Sequence, residues 1–371
     1  MKHQIILIGK DITSAYHGVK EFGPDFIHLL YTYETRSVTQ PMFSLLPDSI
    51  QHKMHFIEAY NAGSVTNVCK KIHRDFSGEF YYNLSEGTKL MAFSAFSIAK
   101  EYGAIAFYIT QQGEIVNLDT FEKYQMQSML ENEEILTLNG SELSTYDDIK
   151  DLADTTIRSA QQIKQFIESY PNENGRIQKY FDSRCGRHLS RLPERWTFPD
   201  KVSFIRKEGA LQISMKDQIL LDIPYPNASM LYFEGRWWET LVAAKAREWS
   251  YKQIHLPEVW QSVIFHTHSS SRIKNEVDIL LNNEQKLIFI ECKSGNVTQN
   301  DVYKVDAIRE TYGGDISLAI LASYFPVESS LHEKCKDLQI ALFAPEFIAA
   351  RINHLDMLPK WLDKLANSIH I

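Results

Sequence analysis

The chain has 371 residues, 44% of them hydrophobic and 23% charged, which suits a soluble globular protein with room for two domains or more. Its net charge of −8 excludes a uniformly basic nucleic-acid glove and leaves space only for a local basic groove. The four cysteines, Cys69, Cys185, Cys292 and Cys335, show no C-x-x-C spacing, so neither a zinc site nor a disulfide framework is indicated. Their sparsity fits a reducing cytosol. The N-terminus enters a strand at once, without a charged-then-apolar leader, and no apolar run approaches the roughly 18 residues that a membrane span needs. These features predict a cytoplasmic protein with no membrane contact.

In chain order, His3–Gly9 is an apolar β-run ending in glycine, and Lys10–Tyr16 offers a polar turn with Thr13 and Ser14 before a helical segment. Phe26–Tyr33 and Met54–Ala59 read as strands, and Ser64–Phe76 as a helix. Phe80–Leu84 is a strand that runs into the loop Ser85–Lys89, followed by the apolar helix Leu90–Tyr102 and the strand Ala104–Thr110. Strands alternating with helices at this pace predict a parallel, doubly wound α/β sheet. Ligands of such sheets sit beyond the carboxyl ends of the strands, where both polar loops fall. Glycine there permits close backbone approach, helix N-terminal amides attract phosphate, and lysine adds charge. The loops form neither a Walker A sequence nor G-x-G-x-x-G, which argues against a nicotinamide cofactor. The plainer alternative for Thr13, Ser14 and the Ser85–Lys89 loop is helix capping.

The loop S-E-G-T-K, lying after a strand and before an apolar helix, resembles the G-G-T-K-type loop of CARF domains, with Gly87, Thr88 and Lys89 matching directly. Glu86 stands where a glycine is frequent in that family, and its charge would repel phosphate. Thr13 and Ser14 match the hydroxyl-bearing loop after the first strand, and Gln111 follows the strand after the motif helix. The resemblance implies a Rossmann-like sensor of cyclic oligoadenylates over residues 1–140. It also implies a homodimer that binds one ring, with cyclic tetra-adenylate as the allosteric activator.

The middle of the chain is harder to read. Leu136–Asn139 reads as a short β-piece, Ser144–Ile167 as a helix, and Pro171–Gly175 as a turn and candidate linker, making 141–200 a helical linker region. Positive charge gathers at Arg176, Lys179, Arg184, Arg187, Arg191 and Arg195, either as a phosphate-contacting face or as a solvated helix. Val202–Pro224 reads as two β-runs around Lys207–Gly209. Gly235–Trp249 is a largely buried helix, in which a tryptophan serves packing more readily than base recognition.

Asn275–Gly295 carries the chemistry. It reads as two strands joined by a polar turn, with Asp278 set among Val277, Ile279 and Leu280, and Leu287–Ile290 running into Glu291, Cys292 and Lys293. Strand alternation puts Glu291 and Lys293 on one face, and antiparallel pairing can set Asp278 opposite them. Two carboxylates and a lysine so placed suit metal-assisted hydrolysis: oxygen ligands hold Mg²⁺ or Mn²⁺, and the lysine orients water or stabilises the developing anion. The plainer alternative is a surface hairpin with an ordinary Glu–Lys pair, against which the apolar flanks count. His266 and His268 suggest ligation, although H-x-H also occurs in ordinary strands. Downstream, Asn300–Tyr312 is a helix stopped by Gly313–Gly314, Ile316–Ala322 and Ile340–Ala344 are strands, and Leu358–Ile369 is a closing helix.

The pattern N-E-x-D followed by E-x-K resembles the PD-(D/E)xK nuclease core, with Glu276–Val277–Asp278 in place of Pro-Asp. The preceding helix resembles one that supplies a further acidic ligand in a branch of that family, and Glu239 matches it. The resemblance implies a restriction-endonuclease-like α/β domain with a mixed sheet over 201–371. Asp278, Glu291 and Glu239 are then its metal ligands and Lys293 its catalytic lysine. In this order the two domains resemble CARF-fused ancillary nucleases of type III CRISPR defence, which cleave DNA and in some cases RNA, with single strands preferred here. The rival reading is a non-catalytic CARF regulator that binds nucleic acid or a protein partner through a degenerate nuclease fold.

Overall fold

The computed structural model describes the chain except residues 111–112, 217, 254–255, 267–274, 284–285, 315–316 and 367–371 and the side chains at 349 and 352. Gln111 and His268 therefore lie outside the described residues, as do one end of the strand expected at Ile316 and of the helix expected to reach Ile369.

The N-terminal strands are β1 (Lys2–Leu7), β2 (Phe26–Tyr31), β3 (Gln51–Phe56), β4 (Glu79–Asn83), β5 (Ile105–Ile109), β6 (Glu114–Asn117) and β7 (Lys123–Gln125). Their helices are α1 (Thr13–Phe22), α2 (Gln40–Leu45), α3 (Ala62–Asp75) and α4 (Lys89–Glu101). The strands form one sheet in the order β3-β2-β1-β4-β5-β6-β7. Pairing is parallel from β3 through β5 and antiparallel beyond it. The apolar run of β1 is buried on both faces, as a central parallel strand requires. Ile5 and Leu7 pack toward α3 and α4, while Ile6 and the following Ile8 pack toward α1. Strand order reverses between β1 and β4, which sets their following loops side by side at a topological switch point.

The second half contains α5 (Asn132–Leu138), β8 (Leu143–Asp148), α6 (Asp154–Ser169) and α7 (Pro171–Cys185). Next come β9 (Arg195–Thr197), β10 (Val202–Lys207), β11 (Ala210–Met215), β12 (Gln218–Ile223), α8 (Ala228–Phe233) and α9 (Arg236–Ser250). The chain continues through β13 (Val259–Phe265), β14 (Asn275–Asn282), β15 (Leu287–Lys293), α10 (Gln299–Tyr312), β16 (Leu318–Ser323), α11 (Ser329–Asp337), β17 (Ile340–Phe343), α12 (Arg351–His354) and α13 (Leu358–Ala366). A mixed sheet runs β17-β16-β15-β14-β13-β8, and a smaller antiparallel sheet runs β12-β11-β10-β9. Sequence reading thus anticipates the fold class, a doubly wound parallel sheet followed by a mixed α/β sheet.

The middle differs from expectation. Leu136–Asn139 belongs mainly to helix α5, not to a β-piece. Leu143–Asp148, of which all but Leu143 was expected to be helical, pairs antiparallel with β13 as the edge of the mixed sheet, and only then does α6 begin. Pro171 opens α7 at a first-turn position, where its missing N–H costs nothing, so Pro171–Gly175 is helical and not a turn. Lys207–Gly209 does turn the chain, but a second reversal at Lys216 makes three strands of 202–223 where two were expected. Residues 141–200 thus contribute to the body of the second half: α6 and α7 share its core with α8 and α9.

The two halves also share a core. Ile6, Ile27 and Leu29 of the parallel sheet belong to one apolar cluster with Leu136 of α5 and with Trp260, Val277 and Phe289 of the mixed sheet. Among the described residues no helix is long and apolar enough to cross a membrane.

Candidate active site

β14 and β15 pair antiparallel with Ile279 opposite Ile290 and Leu280 opposite Phe289. One further step sets Asp278 against Glu291, and alternation returns Lys293 to the same face. The sequence-predicted acids and lysine therefore do converge. Asp278 accepts the Cys292 N–H at 2.6 Å through Oδ2. Burial, then the charges of Glu291 and Glu239, push its carboxyl well above the usual carboxylate range.

Glu291 is 1% exposed and is held by cations. Lys293 Nζ lies 2.8 Å from its Oε1. Lys304 Nζ donates to Oε1 and Oε2 at 2.8 and 2.9 Å. Lys293 also bridges to Asp301 at 3.1 Å. Burial alone would lower the Lys293 ammonium, but Glu291 and Asp301 outweigh it and hold the group above its ordinary value. Asp301 is in turn fixed at the head of α10, accepting the Thr298 N–H and hydroxyl at 2.8 Å in a capping box.

Glu239 comes from the first turn of α9, entered through Gly235 at φ 81°. That left-handed conformation suits glycine, and a Cβ would also collide with the Ser294 hydroxyl. Burial chiefly pushes the Glu239 carboxyl up to about 7, with Glu276 and Glu291 adding to it against Arg236 and Lys293. Trp237 and Trp238 beside it are packing residues, the latter donating to the Ala322 carbonyl at 2.9 Å. His266 is exposed, and its N–H is given to the Glu142 carbonyl. Among the described residues no three His, Cys, Asp or Glu side chains already stand in a ligating arrangement. The charge of Glu291 nevertheless raises the carboxyls of both Asp278 and Glu239, a repulsion that a divalent cation would relieve.

Sequence reasoning missed Lys304 and Asp301. Their i, i+3 spacing puts both on one face of the helix after E-C-K, but gives no sign that this face meets β15.

At the other candidate site, a cleft of about 880 Å³ opens beyond the carboxyl ends of the parallel strands. Gly87 and Thr88 line it with Gly9, Lys10, Tyr33 and Tyr60. The two tyrosines are more than four-fifths exposed, which leaves their rings free to stack on a base. Thr88 is the N-cap of α4, accepting the Met91 N–H at 3.2 Å and donating to the Ala59 carbonyl at 3.0 Å. Lys89 stands exposed at the first position of α4, outside the cleft lining. Thr13 is buried; its N–H is capped by Asp11 at 2.8 Å, so Asp11 takes the capping role considered for Thr13 and Ser14. The Ser14 hydroxyl instead reaches Glu86 at 3.5 Å, and the Glu86 carboxylate folds over Gly9, where a Cβ would collide with it.

Residues 227–360 match the family model of the Card1-like endonuclease domain. No curated protein matches the chain by sequence. Among solved structures, Can2 from Sulfobacillus thermosulfidooxidans in complex with cyclic tetra-adenylate is similar over 98% of this chain and 99% of its own, with 18% identity and a TM-score of 0.72. Protein VC1899 from Vibrio cholerae is similar over 98% and 97%, with 18% identity and a TM-score of 0.75. A type III CRISPR defence DNA nuclease activated by cyclic oligoadenylate matches 88% of this chain and 47% of its own, with 14% identity and a TM-score of 0.54. At such identities the structural likeness speaks for the fold, which extends across both halves of the chain.

Proposed function

We propose that the Card1-like endonuclease domain at 227–360 belongs to a metal-dependent nuclease of type III CRISPR defence switched on by a cyclic oligoadenylate. The observation that carries this is the convergence of Asp278, Glu291, Glu239 and Lys293 at one end of the β14–β15 hairpin, inside the matched domain. The activator is cyclic tetra-adenylate, the ligand of the Can2 structure, and its cleft is the one bordered by Gly87, Thr88, Tyr33 and Tyr60. Thr13, Ser14, Lys89 and Gln111 remain candidate contacts to the ring, and Lys89 is exposed. A homodimer with a two-fold axis through the ring matches the symmetry of such a ligand. The activity is proposed for DNA and for RNA, with single strands preferred.

Asp278, Glu291 and Glu239 are the proposed ligands of Mn²⁺ or Mg²⁺. When bound, the cation supplies Lewis acidity toward a phosphate oxygen and favours ionisation of water. Lys293, kept protonated by its two carboxylates, is suited to hold a water by hydrogen bond and to offset charge growing on the phosphate. A group held so firmly in its cationic form is a poor general base. Lys304 occupies lone pairs of Glu291, so its withdrawal frees that carboxylate for ligation.

Lys304 also suggests how the sensor speaks to the site. It rides near the start of α10, whose other end, Glu310 and Thr311, faces Lys10–Ile12 of the sensor loop across a cavity of about 450 Å³. An activator that binds one position of that loop more tightly biases the position of α10.

Cleavage of labelled single-stranded DNA, single-stranded RNA and supercoiled plasmid in Mn²⁺, with and without cyclic tetra-adenylate, tests the reading. Activator-dependent cleavage abolished by EDTA supports it. Activator binding with no cleavage of any substrate supports the non-catalytic regulator instead.

A further inference from the structure

The basic segment singled out in the sequence remains outside both sites. Between Arg176 and Arg195 lie six Lys or Arg residues against two carboxylates, in a chain whose net charge is −8. Arg176 is paired with Asp200, and Arg187 with Asp182. Lys179, Arg184 and Arg195 are exposed, and their side chains have no hydrogen-bond or ion-pair partner among the described residues.

An aromatic ring stands in the middle of this charge. Trp196, on the edge strand β9, is 40% exposed, unlike the buried Trp237, Trp238, Trp249 and Trp260. It stacks on Tyr180 of α7, with centroids 4.7 Å apart and planes 29° apart. Helical spacing puts Arg176 and Arg184 on either side of Tyr180, four residues away in each direction. The Trp196 ring is thus backed by Tyr180, with Phe198 6.5 Å away, and the exposed Lys179, Arg184 and Arg195 come from the same helix and edge strand.

We infer that Trp196 and Tyr180 form a stacking platform for single-stranded nucleic acid, with Lys179, Arg184 and Arg195 holding the phosphates. Unpaired bases offer a π-face to the indole, and the cations follow the backbone. A duplex hides its base faces and gains only from the cations. The platform is joined to the active site by a file of rings. Tyr180 lies 6.3 Å from Phe204, and Phe204 lies 5.6 Å from Phe233, two residues before the Gly235 turn into α9 and Glu239. Phe204 and Phe233 are buried, so the file gives a strand no path but fixes the platform to the helix that carries Glu239, beside which a seated strand would be delivered for cleavage. This delivery rests on the nuclease reading, whereas the binding does not.

The test is fluorescence anisotropy on the full chain in EDTA, where no cleavage is needed, with labelled oligo-dT, oligo-U and a duplex of equal length. Trp196→Ala should weaken both single strands by about tenfold, the scale of one lost base stack, while leaving the duplex unchanged. Trp196→Phe should keep most of the affinity, which separates stacking from misfolding. Arg184→Glu should weaken all three probes and flatten the salt dependence. Unchanged single-strand affinity in Trp196→Ala overturns the platform, as does an equal loss on duplex. A failed nuclease reading shows instead as absent cleavage by wild type whose Trp196-dependent binding persists.

Discussion

Lys293 touches two carboxylates, and its removal separates chemistry from ligand sensing. With Lys293→Ala, Glu291 keeps Lys304, so the buried charge retains a partner and the fold survives. The expected result is a loss of cleavage on the order of 10²–10³-fold, the usual scale for deleting one electrostatic stabiliser, with unchanged affinity for cyclic tetra-adenylate. Calorimetric titration beside a cleavage time course checks both halves, and wild-type cleavage by the variant would remove Lys293 from the mechanism. Glu86 presents the opposite case, a carboxylate lining the cleft proposed for a phosphate-bearing ring. Glu86→Gln keeps the shape over Gly9 and removes one repulsion, so activator affinity should rise severalfold at low salt and less at high salt. An affinity that falls, or that gains equally at all salt concentrations, would mean that Glu86 holds the loop and does not oppose the ligand.

At the scale of elements, the parallel sheet carries an acid-sensitive file. His3, His28 and His55 stand on β1, β2 and β3, linked ring to ring at 3.2 Å, with His28 wholly buried. Burial, then the neighbouring His55 and His3, pulls His28 down to about 3. Burial with Lys53 pulls His55 down to about 4. Both folded values lie below the ordinary 6.5, so the stability they confer is complete above that pH and is lost as pH falls toward 4. Urea unfolding should show a loss on the order of 4 kcal/mol between pH 7.5 and 5, about half of it removed in His28→Phe. A flat profile would show that the file titrates normally. The same scale explains what the sequence could reveal. The hairpin at Asn275–Lys293 was legible because strand alternation fixes Asp278, Glu291 and Lys293 relative to one another. The parallel sheet was legible because β1, β2 and β4 are short buried apolar runs set between helices. By contrast, β8 reads as the polar stretch LSTYDD and becomes a strand only by pairing with β13, more than a hundred residues away. Lys304 was hidden for the same reason: its partner Glu291 is on another element, and no local pattern encodes how α10 lies on β15.

For the whole molecule the decisive feature is the continuous core. Ile6, Ile27 and Leu29 of the parallel sheet pack in one cluster with Trp260 and Phe289 of the mixed sheet, so neither half can open without exposing apolar surface of the other. Such a junction makes the halves one cooperative unit, which the tryptophans can report. All six lie at or beyond Trp196, so their emission senses the second half alone, and Trp260 sits in the shared core itself. On the proposed reading, cyclic tetra-adenylate at a hundred times its Kd stabilises whatever unfolds together with its cleft by about 2.7 kcal/mol. The tryptophan-monitored denaturant transition should therefore move to higher urea on adding the activator, in step with far-ultraviolet circular dichroism and without a change of slope. A tryptophan transition that stays in place while circular dichroism moves would show that the halves melt separately. In that case the shared core would be too weak to carry the signal, and coupling would have to pass through the dimer interface and not along α10.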